Sequence, residues 1–208
     1  MKKLSLMFAT VVLSVTALIG CSESSMPVEG KQFEQLPANL STYRLPPVTE
    51  VFSLNCGHCR KMEAVIPELE KLTNQKFGKV HVTFNESAQI GAMIYYSAEM
   101  QLGKAPDHKM MEELFAAVQM GDGATLQEKK TAIDTVFTSR GLISPYDFDE
   151  EQQKQLFAAM QVADDISVKA QINSVPTFIV NGKYQVITTG HKDEQDIAAT
   201  INYLIQNY

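Results

Sequence analysis

The sequence predicts an α/β fold whose two halves are separated by an all-helical insertion. Three observations predict it. Val48 to Leu54 (VTEVFSL) is rich in β-branched and aromatic residues, and a helical pattern and an alternating strand-like run follow it directly. Residues 87–164 then carry mainly helical signals. Finally, residues 176–188 read as a β-hairpin, followed by one more helix to the end of the chain.

Each element has its own signal. Glu29 to Leu36 (EGKQFEQL) fits a first edge strand, and Pro37, Pro46 and Pro47 mark the loop after it. Val48 to Leu54 is expected as the central strand. From Gly57 to Lys76, Met62, Val65, Ile66, Leu69 and Leu72 fall on one helical face and Lys61, Glu63, Glu68, Glu70 and Lys71 on the other. Pro67 should kink this helix, Gly78 should end it, and Lys79 to Phe84 (KVHVTF) alternates like a strand.

In the insertion, Ser87–Gln101, Asp107–Gln119, Thr125–Ser139 and Asp147–Asp164 repeat apolar residues at helical spacing, with Asp107 and Asp147 expected as N-caps. Its methionines and aromatics (Met93, Tyr95, Tyr96, Met100, Met110, Met111, Phe115) should mostly pack the core, with some lining a groove for unfolded chains. Pro176–Val180 and Lys183–Thr188 flank Asn181-Gly182, which suits a type I′ turn. Asp193–Tyr208 carries Ile197, Ile201, Leu204 and Ile205 on one helical face.

The N-terminus reads as an export signal. Lys2 and Lys3 precede an uncharged, mostly apolar run, and Leu18-Ile19-Gly20-Cys21 resembles a bacterial lipobox. Cleavage before Cys21 would leave a lipidated cysteine and a polar tether, Ser22 to Val28. An uncleaved membrane anchor is the competing reading, but the run is short of the about 20 residues that a span needs. The expected organisation is therefore a signal peptide (1–20), a tether (21–28), an α/β domain (29–86 and 165–208) and the helical insertion (87–164). Removing Lys2 and Lys3 takes the formal net charge from −6 to −8. That acidity argues against nucleic acid as a partner. Ser22 stands where an aspartate retains some lipoproteins at the inner membrane, which points to the outer membrane.

The chemistry centres on Cys56-Gly57-His58-Cys59, placed where a strand turns into a helix. The free N–H groups and partial positive charge of a helix N-terminus favour a thiolate on Cys56, the form that performs exchange. In this setting a C-x-x-C reads as a thioredoxin-like redox motif, so the redox group is a Cys56–Cys59 disulfide and no other cofactor is expected. A purely structural disulfide is the alternative, but so short a loop removes little chain entropy on closure. Disulfide chemistry also fits a compartment beyond the inner membrane. Cys56, His58 and Cys59 are metal-ligating types, yet a structural zinc site takes four ligands and no second pair exists. His58 either stabilises the Cys56 thiolate electrostatically or is an exposed spacer.

Glu29-Gly30-Lys31-Gln32-Phe33, Glu50-Val51-Phe52-Ser53 before the cysteines, and Ser174-Val175-Pro176-Thr177-Phe178-Ile179-Val180-Asn181-Gly182-Lys183-Tyr184 resemble the DsbA family of periplasmic thiol oxidases, over nearly the whole mature length. The resemblance implies a thioredoxin-like fold, with a central mixed β-sheet flanked by helices and an inserted all-helical domain. It implies a thiol:disulfide oxidoreductase acting on newly exported proteins that carry reduced cysteines, recharged by a DsbB-like, quinone-linked membrane protein. It makes Pro176 a cis-proline facing Cys56, with the Val175 backbone turned out to pair with a substrate strand. An ordinary trans proline opening a strand is the alternative. It also makes Glu50 a buried acid relaying protons to Cys59, against a solvated strand-edge glutamate. Gly57 departs from the family, where the best-known member has proline, and matches the Cys-Gly-His-Cys of protein disulfide isomerase. An isomerase or reductase is thus the competing enzyme reading, and a chaperone-like lipoprotein without catalysis the competing non-enzyme one. Residues 22–47 are too short for the dimerisation domain such isomerases carry, so a monomer is expected.

Overall fold

The computed structural model describes residues 26–121 and 123–208. The expected signal peptide and Cys21 lie outside the described residues. The described chain forms five strands and seven α-helices, in the order β1 (Phe33–Gln35), β2 (Val48–Phe52), α1 (Gly57–Glu63), α2 (Ile66–Thr73), β3 (Phe77–His81), α3 (Glu86–Leu102), α4 (His108–Val118), α5 (Leu126–Thr138), α6 (Glu150–Lys169), β4 (Thr177–Val180), β5 (Tyr184–Val186) and α7 (Glu194–Asn207). The sheet order is β1-β5-β4-β2-β3. Only the β2–β3 pair is parallel; β2–β4, β4–β5 and β1–β5 are antiparallel. This is the mixed sheet of a thioredoxin-like fold, with four helices inserted between its halves. The spatially central strand is β4, and β2 lies beside it, buried along its whole length.

Burial on both sheet faces explains the cores. Along β4, Phe178 and Val180 join Val48, Ile66, Leu69, Ile197, Ile201 and Leu204 beneath α2 and α7, while Ile179 joins the opposite cluster. That second cluster runs without a break from Val51 and Phe52 into Ile94, Tyr95, Leu114, Phe115, Ile133, Phe137 and Ile166 of the insertion. Phe52 meets Tyr95 at 5.1 Å and Phe115 at 6.1 Å between ring centroids, both edge to face. The sheet and the insertion therefore share one core. Tyr95, Tyr96, Met110, Met111 and Phe115 are buried in it, while Met93 and Met100 are partly exposed at its margin.

Local chemistry corrects several expected boundaries. The helix after Cys56 is broken rather than kinked: α1 ends at Glu63 and α2 restarts at Ile66, with Pro67 in its first turn. A proline ring clashes with the carbonyl four residues back, here that of Glu63, so the first helix stops there. Asn74, left-handed at φ 52°, terminates α2 and returns its N–H to the Glu70 and Lys71 carbonyls. Gly78 is no terminator. It lies within β3, where a Cβ would come 2.6 Å from the ring of Pro46. The N-cap of α6 is Asp149, in a capping box with Gln152, because Asp147 is held in the preceding turn by a bond to the Ser144 carbonyl. Helix α6 also continues to Lys169, past residue 164. Asp107 caps α4 by accepting from the Met110 N–H at 2.9 Å. Asn181 and Gly182 have φ 52° and 63°, the positive pair that a type I′ turn requires, and Lys183 N–H closes the turn on the Val180 carbonyl.

Candidate active site

Cys56 is the N-cap residue of α1, with extended backbone (φ −91°, ψ 117°), and its Sγ accepts a hydrogen bond from the Cys59 N–H at 3.2 Å. The sulfur thus takes the place of the oxygen that caps most helices and faces the unpaired N–H groups of the first turn. From 119 residues away, the carbonyl of Val175 comes within 3.6 Å of the same sulfur and accepts its S–H. The Val175–Pro176 bond is cis. The two cysteines are unbonded and unequal: Cys56 is half-buried and Cys59 has no exposed surface. Burial pushes the Cys59 thiol far above its ordinary value, and the hydrogen bond from Cys56 adds to this.

The inequality gives an expected labelling pattern. Iodoacetamide on the folded, reduced protein should alkylate Cys56 and leave Cys59 unmodified, because alkylation needs both access and thiolate. Peptide mapping by mass spectrometry reads the outcome. Label chiefly on Cys59 would reverse the roles assigned to the pair.

His58 is exposed, and its side chain makes no hydrogen bond among the described residues. It borders a cleft of about 410 Å³ together with Met62, Val65, Val175, Pro176, Thr188 and Ile197. Gly57 is not imposed by packing: a Cβ there would meet nothing within 4 Å. Its φ is not positive either, so the dipeptide is free to vary without disturbing the fold.

Glu50 is fully buried on β2 and is no strand-edge glutamate. Its Oε2 accepts from Lys79 Nζ at 2.5 Å, while its Oε1 is buried without a partner. Burial raises its pKa by more than Lys79 lowers it. Lys79 also donates to Glu63 Oε2 at 2.7 Å. Burial alone would strip the proton from Lys79, but Glu50 and Glu63 more than offset this and hold its pKa above the ordinary value. The charge of Glu50 also bears on Cys59, where it further raises the thiol pKa.

Two residues with no sequence signal hold the loop that carries Cys56. Gln119, just past α4, donates its Nε2–H to the Leu54 carbonyl at 2.7 Å and to the Cys56 carbonyl at 3.1 Å. His81, at the end of β3, accepts the Leu54 N–H on Nε2 at 2.8 Å and donates from Nδ1 to the Val82 carbonyl. Burial lowers its pKa to about 4, so it is neutral and keeps this arrangement near neutral pH. Gly91 of α3 leaves room for it: a Cβ would come 2.8 Å from His81 Nε2 and 2.6 Å from Asn55 Oδ1. Gly91→Ala should therefore destabilise the protein by about 1–3 kcal/mol, the usual cost of overpacking, measured as a shift in urea midpoint. An unchanged midpoint would show that His81 can move without loss.

Known proteins share these features. A family profile described as Thioredoxin matches residues 46–202, more than half of the chain. The chain is 28% identical to the thiol:disulfide interchange protein DsbA of Salmonella typhimurium, with 99% of each chain covered. Among solved structures, reduced DsbA1 from Neisseria meningitidis superposes with a TM-score of 0.65 at 22% identity, covering 88% of this chain and 95% of that one. A Proteus mirabilis DsbA with a non-covalently bound peptide superposes at 0.60 and 19% identity, covering 87% and 99%. With a matching profile across both halves of the α/β domain and a redox pair at the expected strand–helix junction, the chain belongs to the thioredoxin family and is DsbA-like in sequence and architecture.

Proposed function

We propose that this protein is a thiol oxidase that introduces disulfides into exported proteins through its Cys56–Cys59 disulfide. The observation that carries this reading is the unequal pair: an accessible sulfur at a helix N-terminus, three residues before a buried one. In the oxidised protein a substrate thiolate attacks Cys56 Sγ. The Cys56–Cys59 bond breaks, and its electron pair leaves on Cys59 Sγ. Glu50, which holds a proton because it is buried, gives that proton to Cys59. A second thiolate of the substrate then attacks the substrate sulfur of the mixed disulfide. The substrate leaves oxidised and Cys56 leaves as thiolate.

The cleft of about 410 Å³ beside His58, Val175 and Pro176 suits an extended peptide, with the Val175 backbone offered for strand pairing. His58 supplies local positive polarity when protonated. The two reducing equivalents pass on to a DsbB-like, quinone-linked membrane protein. The protein works as a monomer in the periplasm, held to the outer membrane by a lipid on Cys21. Residues 29–86 and 165–208 carry the redox chemistry, and the insertion 87–164 braces it.

The test has two arms. Oxidised protein is mixed with an unfolded peptide bearing two reduced cysteines, and the pair is separately equilibrated with glutathione. A thiol oxidase converts about one peptide per protein, and glutathione leaves its own pair mostly reduced. A pair that stays oxidised against glutathione would mark a reductase and overturn the proposal.

A further inference from the structure

We propose that His108, on the inserted helical domain, is the proton port of the redox site, connecting the buried acid beneath Cys59 to water through Lys79 and Glu63. The inference rests on the reading of Glu50 as the proton donor to Cys59 and adds the route by which that donor is recharged.

The route is a chain of direct contacts. Lys79 Nζ touches Glu50 Oε2 at 2.5 Å and Glu63 Oε2 at 2.7 Å, and His108 Nδ1–H donates to Glu63 Oε1 at 2.7 Å. Four elements contribute one residue each: β2, β3, α1 and α4. Exposure rises at one end only. The side chains of Glu50, Lys79 and Glu63 are 1%, 4% and 1% exposed, whereas that of His108 is 40% exposed. Cys59 has no exposed surface, so water does not reach its thiol directly. At the inner end, Glu50 Oε1 is a buried oxygen without a partner, the position from which a proton can be passed. At the outer end, His108 lines a cleft of about 340 Å³ with Glu70, Lys71, Asn74, Gln75 and Lys76. A polar cleft of that size holds several waters.

The surroundings suit an imidazole that cycles. Glu63 faces its Nδ1 from α1, and Glu70 of α2 lies 3.8 Å from Nε2. Lys76 neutralises Glu70 at 2.6 Å, and Lys71 lines the same cleft. Asp107, on the same segment, is spent on capping α4, and Lys109 follows in sequence. Both ring nitrogens thus face carboxylates, one buried and one at the water boundary.

The proton balance closes. When the disulfide opens, Cys59 Sγ takes a proton from the Glu50 carboxyl. Glu50 takes one from the Lys79 ammonium, Lys79 from Glu63, Glu63 from the His108 imidazolium, and His108 from water in the cleft. The net change is one proton drawn from water and one Cys59 thiol formed. Reoxidation runs the same hops in reverse. A histidine suits the outer position because it exchanges protons readily near neutral pH.

The test compares the wild type with His108→Ala, His108→Asn and Glu50→Gln. Each oxidised protein is reduced by excess dithiothreitol in stopped flow across a pH series, with and without added imidazole. The expected result is a slowing of about tenfold at neutral pH in both His108 variants, below the range of a directly positioned acid. The pH profile should flatten as well. Imidazole should restore the His108→Ala rate by occupying the vacated cleft, and should leave Glu50→Gln slow. If Glu50→Gln is slow while both His108 variants keep the wild-type rate and profile, the port is wrong and the relay stands. If Glu50→Gln itself keeps the wild-type rate, the relay falls and the port with it. Slow His108 variants with an unflattened profile and no imidazole rescue would mean that His108 only braces Glu63, which also overturns the port.

Discussion

Cys56→Ser should reduce thiol–disulfide exchange to the uncatalysed background, the largest functional loss of any single substitution here. The serine oxygen can still accept the Cys59 N–H at the start of α1, since serine is a preferred N-cap residue. The fold should therefore persist, and circular dichroism should read as in the wild type. The oxygen forms no disulfide and is a poor nucleophile without an adjacent base. Cys59→Ser should behave differently. It also stops substrate oxidation, because no internal disulfide can form. It keeps the Cys56 sulfur at its accessible site, 3.6 Å from the Val175 carbonyl, where oxidised glutathione can reach it. Cys59→Ser should thus accumulate one mixed disulfide with glutathione, visible as an added mass, and Cys56→Ser none. A mixed disulfide on Cys59 of the Cys56→Ser protein would show that the buried sulfur is reachable. Full activity in Cys56→Ser would favour the chaperone reading over the enzyme.

The contrast between these two cysteines is legible in the sequence because it is local. Motif, preceding strand and following helix lie within about a dozen residues, and helix-end chemistry then ranks the two sulfurs. The Asn181-Gly182 turn is legible for the same reason, since its residues dictate their own φ values. The meeting of Val175 with Cys56 is not local, and only the family resemblance anticipates it. Where local rules compete, the sequence reading slips. Pro67 signals a disturbed helix, but whether it kinks or breaks depends on what else stabilises the preceding turn. Asp147 and Asp149 are equally good caps, and the bond from Asp147 N–H to Ser144 decides between them. Gly78 reads as a stop until Pro46 is seen packed against it.

The supports of the site are the least legible part. His81 and Gln119 act through the backbone of Leu54 and Cys56 from 27 and 65 residues away, and neither residue type announces such a role. Glu63 and Lys79 fit the expected surface of a helix and the start of a strand, yet both are buried. Their partners come from three other elements, so only the assembled fold shows that the charges are paired. A periodicity argument assigns such residues to solvent, because it assumes that a charge without a neighbour in sequence has none in space.

Lys79→Met should be the most destabilising substitution in this group. Glu50 and Lys79 stand opposite one another in the parallel β2–β3 register, and Glu63 reaches the same ammonium from α1. Removing that ammonium leaves Glu50 with both oxygens unpartnered and Glu63 dependent on His108 alone. Breaking a buried pair from one side costs about 3–5 kcal/mol, a large part of the about 5–15 kcal/mol that holds a typical domain together. The pH dependence separates this cause from lost packing. Burial already raises the Glu50 pKa above its unfolded value, and loss of the cation raises it further. A group with a raised folded pKa contributes stability that is present below its unfolded value and lost as pH rises through the folded one. The deficit of the variant should therefore be largest near neutral pH and shrink as pH falls toward the ordinary glutamate range, where Glu50 takes up its proton. Lys79→Met combined with Glu50→Gln should recover part of the loss at neutral pH, because the two sites share one interaction. Urea midpoints of wild type, single and double variants at two pH values provide the measurement. A deficit equally large at both pH values, and untouched by Glu50→Gln, would assign it to the packing of the Lys79 stem against Phe52 instead of to the stranded carboxylates.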